Sequence, residues 1–573
     1  MWAAAFADEP RAIMPVDAHV FQYLVSPLEG LLAGWAVMRH MAHRAPPHDR
    51  IVGIPAERLL IIQITIAAVV MGAMVAARYL TWHSFVFDLG SYDQKAWLVA
   101  AQPTLDGMLE QTYKGGVRLS PCGLPRLWGI CHFQPTFLIL GFLYRVWDSS
   151  LLLLGCQVLL VVSGAIPAYL LARDRLGSAA AGATCAAIYL LYPAVQYNGV
   201  LDFRPDHAAI PALLWGYVLA NRGRHVTALG IVSLAGLGKD TLFLAFAFFG
   251  LYLALRHRQR VLGGMAFAVG LTVFAYVRLH LLNFNGVSEG QLSLIRDFPE
   301  LAGLLSGSAS VMFGSVLGAV RTLFQPHKLL YLVALFAPVA LLPFRALPEL
   351  LPAVPSLAFS LLSVNTEHAS IQSQYSASVV GPVFAALIVA VATLGATSRW
   401  GREPVPMLTG LVVLSAFVSF GLGPTPLSLN FWNRDLGGRW HFTQYLPDRQ
   451  RALERAVSLV PTDPRAVVVT QNDVNDRRLA HRFEFLAFPN ALDSADYVLL
   501  DTWRQPYVYW MNDPKTYRSL VERLRVNPVY RLIFEEQGVL LFERRKTASG
   551  WLRNSPAGSG PAEGQRILWQ LRP

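Results

Sequence analysis

Two aspartates, Asp88 and Asp93, stand five residues apart in the stretch FVFDLGSYDQKAW, directly after a long apolar run. A carboxylate at such a place can remove a proton from a substrate, since Asp and Glu are common general bases. The alternative is structural, because carboxylates also stabilise helix N-termini, and a helix is predicted to begin near Ser91. We interpret Asp88 as the catalytic base, whereas Asp93 fits catalysis and helix capping equally well.

Further polar side chains are predicted to fall on the same side of the molecule as these aspartates. Ionisable groups at membrane depth are costly and usually functional. A mixture of acids and cations suits a site where one carboxylate takes a proton while cations hold a phosphate. The predicted substrate- or phosphate-binding residues are His132, Asp202, Arg204, Asp206, Lys239, Asp240, His327, Lys328 and Tyr375.

Each of these residues also has a structural interpretation. Lys239 and Asp240 are adjacent and could simply pair with each other. The two aspartates of the DFRPD stretch could form an ordinary turn, and the HFQP and QPHK stretches could lie at a membrane interface. Their convergence on one side is what favours a common site.

Composition indicates a membrane protein. The chain has 573 residues, of which 54% are hydrophobic and 15% charged, against about 25% charged in average globular domains. The net charge of +11 comes from short basic clusters between apolar runs. That pattern is typical of cytoplasmic loops in polytopic membrane proteins, so no nucleic-acid partner is predicted.

The apolar runs predict about eleven membrane spans. A span needs about 20 apolar residues, and six runs approach that length: 59–80, 151–172, 178–197, 261–282, 377–396 and 406–422. Five shorter runs are also counted as spans: 207–219, 226–238, 241–255, 329–344 and 346–363. Placing all basic clusters inside puts the N-terminus inside and the C-terminus outside. Residues 81–150 then form the first external loop, with 133–147 lying along the outer interface.

We therefore predict a mostly α, polytopic helical membrane protein with a small C-terminal extracytoplasmic α/β domain. Residues 1–58 are a cytoplasmic or interfacial extension, and 59–423 form the transmembrane domain. Strand-like stretches RAVVVT, FEFLAF and DYVLLD, and a hairpin around Gln537–Gly538, place the α/β domain at 424–545. The Gly/Ser/Pro-rich residues 546–573 are predicted to be a flexible tail.

The four cysteines show no metal-binding spacing. Cys122 and Cys131 bracket the stretch CGLPRLWGIC in the predicted external loop. They form a disulfide if the compartment is oxidising, and two free thiols are the alternative.

The chain resembles the bacterial membrane-protein family called domain of unknown function 2079 over about residues 60–545. The motifs that carry the resemblance occur in order: FDLGSYDQKAW, HFQPTFLILGFLYRVW, DFRPDHAAIPALLW, KDTLFLAFAFFGLYLAL, PHKLLYLVALFAPVALLPF, SIQSQYSASVVGPVF and ADYVLLD. Two positions depart from the family pattern, since Arg204 replaces an expected histidine and Asp240 an expected glutamate.

That family in turn is similar to the GT-C glycosyltransferase superfamily, which includes the protein O-mannosyltransferases. The likeness implies an essential aspartate in the first external loop and a sugar donor carried on polyprenyl phosphate. It also implies the cytoplasmic (inner) membrane of a bacterium as the location, with an external acceptor as partner. This inference rests on analogy of fold.

The expected reaction is an inverting sugar transfer. Asp88 is the base and Asp93 a second base or an orienter of the acceptor. Lys239, Arg204 and Lys328 bind the phosphate, with His132 and His327 as helpers. Hard cations prefer oxygen ligands, so a divalent metal held by Asp88, Asp93 and Asp206 is an alternative; no other cofactor is predicted.

Two other functional classes fit the same sequence. A transporter or lipid flippase would line a polar path with its intramembrane Lys and Asp residues. A non-catalytic envelope scaffold would use the C-terminal domain to bind partners.

Overall fold

The computed structural model describes residues 16–41, 50–51, 53–109, 132–281, 283–284, 287–288, 297–304, 309–397, 404–432, 447–489, 492, 494–503 and 514–545. Over these ranges the chain is mostly helical, with one five-stranded sheet near the C-terminus. The predicted Cys122–Cys131 disulfide and the predicted tail 546–573 lie outside the described residues.

The helical part contains long and short helices connected by tight turns. Its α-helices are Val16–Met41, Ala56–Leu80, Ser91–Ala100, Thr136–Tyr144, Ser150–Ser163, Ala165–Leu176, Ala179–Leu191, Pro193–Val200, Ala209–Asn221, His225–Gly236, Leu242–Arg256, Arg260–Tyr276, Pro299–Leu304, Ala309–Leu323, Pro326–Phe336, Leu347–Leu350, Val354–Leu362, Ala377–Thr397, Pro404–Leu422 and Leu429–Trp432. Two short antiparallel strand pairs, Arg50–Ile51 with Ile54–Pro55 and Asn283–Phe284 with Val287–Ser288, accompany them.

Within the described part of the chain, five helices are long and apolar enough to cross a membrane: Ala56–Leu80, Ser150–Leu176, Arg260–His280, Gln374–Ala396 and Pro404–Leu422. The helices Ala179–Leu191 and Pro193–Val200 make a sixth if the pair, bent by 59°, is one span. A proline removes a backbone N–H and kinks a helix, which accounts for the bend at Pro193. The finding is five or six spans, and the predicted count of eleven is not confirmed.

The predicted and observed numbers of spans differ because of the shorter apolar runs. They fold as separate short helices, among them Ala209–Asn221 with 13 residues, His225–Gly236 with 12 and Leu242–Arg256 with 15. At 1.5 Å per residue such helices are shorter than a hydrocarbon core of about 30 Å. The stretch predicted to lie along the interface contains the nine-residue helix Thr136–Tyr144.

The N-terminal helix Val16–Met41 packs along Pro404–Leu422. A Cβ atom on Gly34 would lie 2.4 Å from the carbonyl oxygen of Gly410, and one on Gly421 would lie 2.0 Å from Ser26 Oγ. Residue numbers rise along one helix as they fall along the other, since Gly34 lies beside Gly410 and Ser26 beside Gly421. The two helices therefore run antiparallel. Glycine at these positions permits the close backbone approach that favours helix association in lipid.

The C-terminal domain is a mixed sheet covered by helices. Its strands are β1 (Val468–Thr470), β2 (Phe485–Ala487), β3 (Tyr497–Asp501), β4 (Tyr530–Glu536) and β5 (Val539–Arg544), in the order β2-β1-β3-β5-β4. Strand β1 is parallel to β2 and β3, with Val469 opposite Leu486 and Val498, while β5 is antiparallel to β3 and β4. The domain's α-helices are Pro447–Ser458, Arg477–Ala480 and Pro514–Arg525.

The predicted hairpin is present between β4 and β5. Gln537 and Gly538 have φ values of 50° and 80°, and a two-residue hairpin turn of this type needs positive φ at both positions. Glycine adopts that conformation without strain.

Candidate functional site

The first contact of the site joins Asp88 to Arg204. Asp88 lies on a π-helical turn, Val86–Gly90, between the span Ala56–Leu80 and the helix Ser91–Ala100. Its carboxylate accepts a hydrogen bond from the guanidinium of Arg204. The two side chains are 22% and 20% exposed, so this ion pair remains within reach of a ligand.

A second ion pair lies beside the first. The ammonium of Lys239 donates to Asp206 Oδ2 at 3.0 Å and lies 5.4 Å from the centre of the Tyr375 ring. Burial raises the pKa of Asp206, but the nearby charges of Lys239, His207 and Arg204 outweigh it, so the pKa falls below its ordinary value. Asp206 is therefore ionised; it pairs with Lys239 and interacts with the charge of Arg204.

Asp240 forms the third ionic centre. Its Oδ2 lies 2.5 Å from Arg278 Nε, and its Oδ1 lies 2.8 Å from His132 Nδ1. Burial opposes ionisation, but Arg278 and His132 hold the pKa of Asp240 well below its usual range. Lys239 and Asp240 thus have different partners, and the interpretation that they merely pair with each other is wrong.

We call these residues, Asp88, Arg204, Asp206, Lys239, Asp240, Arg278 and His132, the ionic cluster. It contains three carboxylates and three permanent cations, so its charges balance without a ligand. Burial, together with the charges of Lys239 and Arg278, lowers the pKa of His132 to about 4, although Asp240 acts in the opposite direction. The imidazole is therefore neutral near pH 7.

Asp93 lies outside the ionic cluster. Its side chain is fully buried, and its Oδ1 accepts a hydrogen bond of 2.6 Å from the hydroxyl of Tyr144. Its Oδ2 lies 3.3 Å from Nε2 of His481, a residue of the C-terminal domain. This placement argues against Asp93 as a second base. Asp93 makes no cap hydrogen bond, because Gly90 is the N-cap of Ser91–Ala100 and no side chain bonds there, but it lies in the first turn of that helix, where a carboxylate is favoured.

The C-terminal domain holds the turn that carries Asp88. The backbone N–H of Val86 donates to the carbonyl oxygen of Asn472 at 2.6 Å, and that of Phe87 donates to Asn472 Oδ1 at 3.0 Å. Trp82 and Val86 are buried in one apolar core with residues of the domain, including Leu453 and Val468. The domain therefore fixes the position of the catalytic candidate.

Residues 82–541 match the model of the family described as predicted membrane protein (DUF2079). The chain belongs to this family. The matched region begins at the turn preceding Asp88 and ends within β5, so it includes both the ionic cluster and the domain that supports it. A comparison with curated proteins found no significant match.

In this DUF2079 protein, Asp202 supports the backbone. Its Oδ2 accepts the N–H of Phe85 at 2.6 Å, and its Oδ1 lies 3.3 Å from Arg78 Nη2. Burial raises the pKa of Asp202 to about 6, although Arg78 opposes that shift. Asp202 therefore ties the end of the first span to the segment before Asp88.

Of the two candidates in the QPHK stretch, Lys328 takes a structural position. Lys328 donates to the carbonyl oxygens of Leu361 at 2.5 Å and Ser363 at 2.8 Å. It thus satisfies orphan carbonyls at the end of Val354–Leu362. His327 is half-buried and has no contact with the ionic cluster among the described residues.

The predicted metal ligands are separated. Asp88, Asp93 and Asp206 pair with Arg204, His481 and Lys239 respectively. Among the residues that the structure describes, no group of three or more His, Cys, Asp or Glu side chains could hold a metal ion.

Sequence reasoning missed three members of the site and its support: Arg278, Asn472 and His481. A signal existed for Arg278, because a charged residue within an apolar run is a functional candidate. No local signal marked Asn472 or His481, since their contacts with the segment from Val86 to Asp93 depend on tertiary docking.

Proposed function

We propose that this membrane protein is a glycosyltransferase that moves a sugar from a polyprenyl-phosphate donor to an extracytoplasmic acceptor, with inversion. The observation that carries the proposal is the partly exposed Asp88–Arg204 pair, which lies beside the Lys239–Asp206 pair. A base next to two cations is the combination that displacement of a phosphate from a sugar requires.

Arg204 and Lys239 bind the donor phosphate in this proposal. The planar guanidinium of arginine fits a phosphate through two parallel hydrogen bonds, and a lysine adds a point charge. Because the ionic cluster is balanced at rest, an entering phosphate competes with Asp88 for Arg204. Donor binding thus releases Asp88 from its ion pair.

The released Asp88 then acts as the base. The acceptor oxygen attacks the anomeric carbon from the face opposite the phosphate, and the bond from that carbon to the phosphate oxygen breaks with its electron pair. The acceptor proton passes to Asp88, and the phosphate leaves on Arg204 and Lys239.

We further propose that the reaction takes place at the outer face of a bacterial inner membrane, with the C-terminal domain outside and the short helices completing about eleven spans. Val16–Met41 runs antiparallel to Pro404–Leu422, and we propose it as one further span, which makes the total even. A last span that ends outside then places Val16 outside as well. The alternative is the sequence prediction, in which this helix does not cross and the N-terminus is internal.

One observation favours a second candidate, a lipid transporter or flippase. The helices Ala179–Leu191 and Pro193–Val200 are bent by 59°, and broken helices form the substrate sites of many transporters. A transporter would move a labelled polyprenyl-phosphate sugar across a vesicle membrane without breaking its sugar–phosphate bond.

The decisive experiment measures transfer from a radiolabelled polyprenyl-phosphate sugar by purified protein in nanodiscs. Asp88→Asn is expected to lower turnover by about 10²–10⁴-fold, as loss of a general base does. Lys239→Ala is expected to weaken donor binding instead. Asp174→Asn is the matched control, since Asp174 pairs with Arg222 outside the ionic cluster. Normal turnover by Asp88→Asn would overturn the assignment.

A further inference from the structure

We propose that His132, oriented by Asp240, accepts a hydrogen bond from a neutral hydroxyl group of the bound substrate. The role differs from the phosphate contact expected from the sequence. The identity of the substrate that carries the hydroxyl rests on the proposed function. The hydroxyl site itself follows from the geometry of two side chains.

The contact with Asp240 fixes the position of the imidazole proton. His132 Nδ1 lies 2.8 Å from Asp240 Oδ1. The carboxylate is ionised and can only accept, so Nδ1 must carry the hydrogen. Arg278 Nη2 lies 3.4 Å from the same nitrogen, but it cannot donate to a nitrogen that holds a proton. Its guanidinium pairs instead with Asp240 Oδ2 at 2.5 Å.

The opposite ring nitrogen, Nε2, is a hydrogen-bond acceptor. When a neutral imidazole carries its proton on Nδ1, Nε2 presents a lone pair and accepts hydrogen bonds only. No described residue donates to Nε2 of His132, and the side chain is 23% exposed. The ring therefore offers an acceptor to a ligand.

The lone pair and the paired charges around it determine the chemical class of that ligand. An ionised phosphate has no proton to donate, so it gains nothing from this nitrogen. An ammonium group would seek an unpaired carboxylate, yet Asp240 is paired with Arg278 and Asp206 with Lys239. A neutral hydroxyl matches the lone pair without disturbing the balance of charge.

The proposed hydroxyl site adjoins the proposed phosphate site. Asp240 follows Lys239 directly in the chain, so the residue that orients His132 adjoins a proposed phosphate ligand. A hydroxyl of the donor sugar would therefore meet His132 while the phosphate meets Lys239 and Arg204, and the acceptor proton is left for Asp88.

The test uses nitrogen NMR of full-length protein labelled with ¹⁵N-histidine in nanodiscs, with His132→Gln to assign the signal. The ring is expected to be neutral and protonated on Nδ1 at about pH 5.5, where an ordinary histidine with a pKa of about 6.5 is mostly charged. Methyl β-glucoside should shift the Nε2 signal, whereas its permethylated form, which lacks hydroxyl donors, should not.

Asp240→Asn removes the charge that fixes the tautomer. This variant is expected to bind methyl β-glucoside about tenfold more weakly, the loss of roughly one hydrogen bond. A proton found on Nε2, a charged ring at that pH, or equal responses to both glucosides would overturn the proposal. Absent sugar transfer together with the expected NMR result would reject the glycosyltransferase and keep the hydroxyl site.

Discussion

Nε2 of His481 lies 3.3 Å from the buried carboxylate of Asp93, and this contact joins the C-terminal domain to the helix Ser91–Ala100. The ring of His481 also stacks on Trp97, with 5.7 Å between ring centres. On its other side, Nδ1 lies 3.3 Å from Asp148. The docking of the domain thus depends on a histidine held between two carboxylates.

Replacing this histidine should make docking less stable in a pH-dependent manner. Burial lowers the pKa of His481, but the hydrogen bond and charge of Asp93, with the charge of Asp148, raise it above its ordinary value. A raised folded-state pKa stabilises the fold fully below the unfolded value of about 6.5, and that stabilisation is lost as the pH rises through the folded value.

His481→Gln is therefore expected to lower the thermal midpoint most at acidic pH, by the equivalent of about 1.5–3 kcal/mol for a hydrogen bond to a charged group. The difference from wild type should shrink as the solution becomes alkaline. Thermal unfolding across a pH series measures it, with the exposed His40→Gln as control. A difference that does not vary with pH would contradict the prediction.

Gly90→Ala should loosen the same interface. A Cβ atom at Gly90 would lie 2.5 Å from Asn475 Oδ1 and 3.2 Å from Phe485 Cε1, so the domain must move away. Overpacking of this kind costs about 1–3 kcal/mol. Hydrogen exchange in Ser91–Ala100 should accelerate, whereas Gly72→Ala, where nothing lies within 4 Å, should leave exchange there unchanged.

Lys328 is expected to act on stability and not on the donor. Lys328→Met leaves the carbonyl oxygens of Leu361 and Ser363 without their ammonium partner. An unsatisfied buried acceptor costs about 1–3 kcal/mol. The thermal midpoint should fall while the KM for donor stays at the wild-type value. A large rise in KM with an unchanged midpoint would restore Lys328 as a phosphate ligand.

The antiparallel packing of Val16–Met41 gives a topology prediction. A reporter placed before residue 16 should be external, as should one after Arg545, whereas reporters after Arg224 and Arg258 should be cytoplasmic. Exposed apolar side chains such as Leu28 and Leu32 on this helix suit contact with lipid. Reporter accessibility in intact cells decides the matter, and a protected N-terminal reporter would mean that the helix does not cross.

Much of the architecture could be predicted from local pattern. Long apolar runs predicted the helices that include Ala56–Leu80 and Pro404–Leu422, because each residue of a span must itself be compatible with lipid. Apolar, strand-like runs and the Gln537–Gly538 turn predicted the C-terminal hairpin, because strand propensity and turn conformation are properties of neighbouring residues.

Whether the short apolar runs cross a membrane could not be predicted from local pattern. Length and hydropathy do not distinguish a tilted span from a helix buried among other helices, since both satisfy the same burial requirement. Ala209–Asn221 and Leu242–Arg256 are largely buried by protein. Their apolar character therefore does not by itself establish that they cross a membrane.

The residue types that could do chemistry, and the helix ends near which they stand, were predictable from local sequence. Their partners follow only from the packed fold: Asp88 meets Arg204, whereas Asp93 meets His481. The two aspartates share one short stretch, so local pattern could not separate their roles. Ion pairs and hydrogen bonds depend on distances of a few ångströms between residues far apart in the chain, and only the packed fold sets those distances.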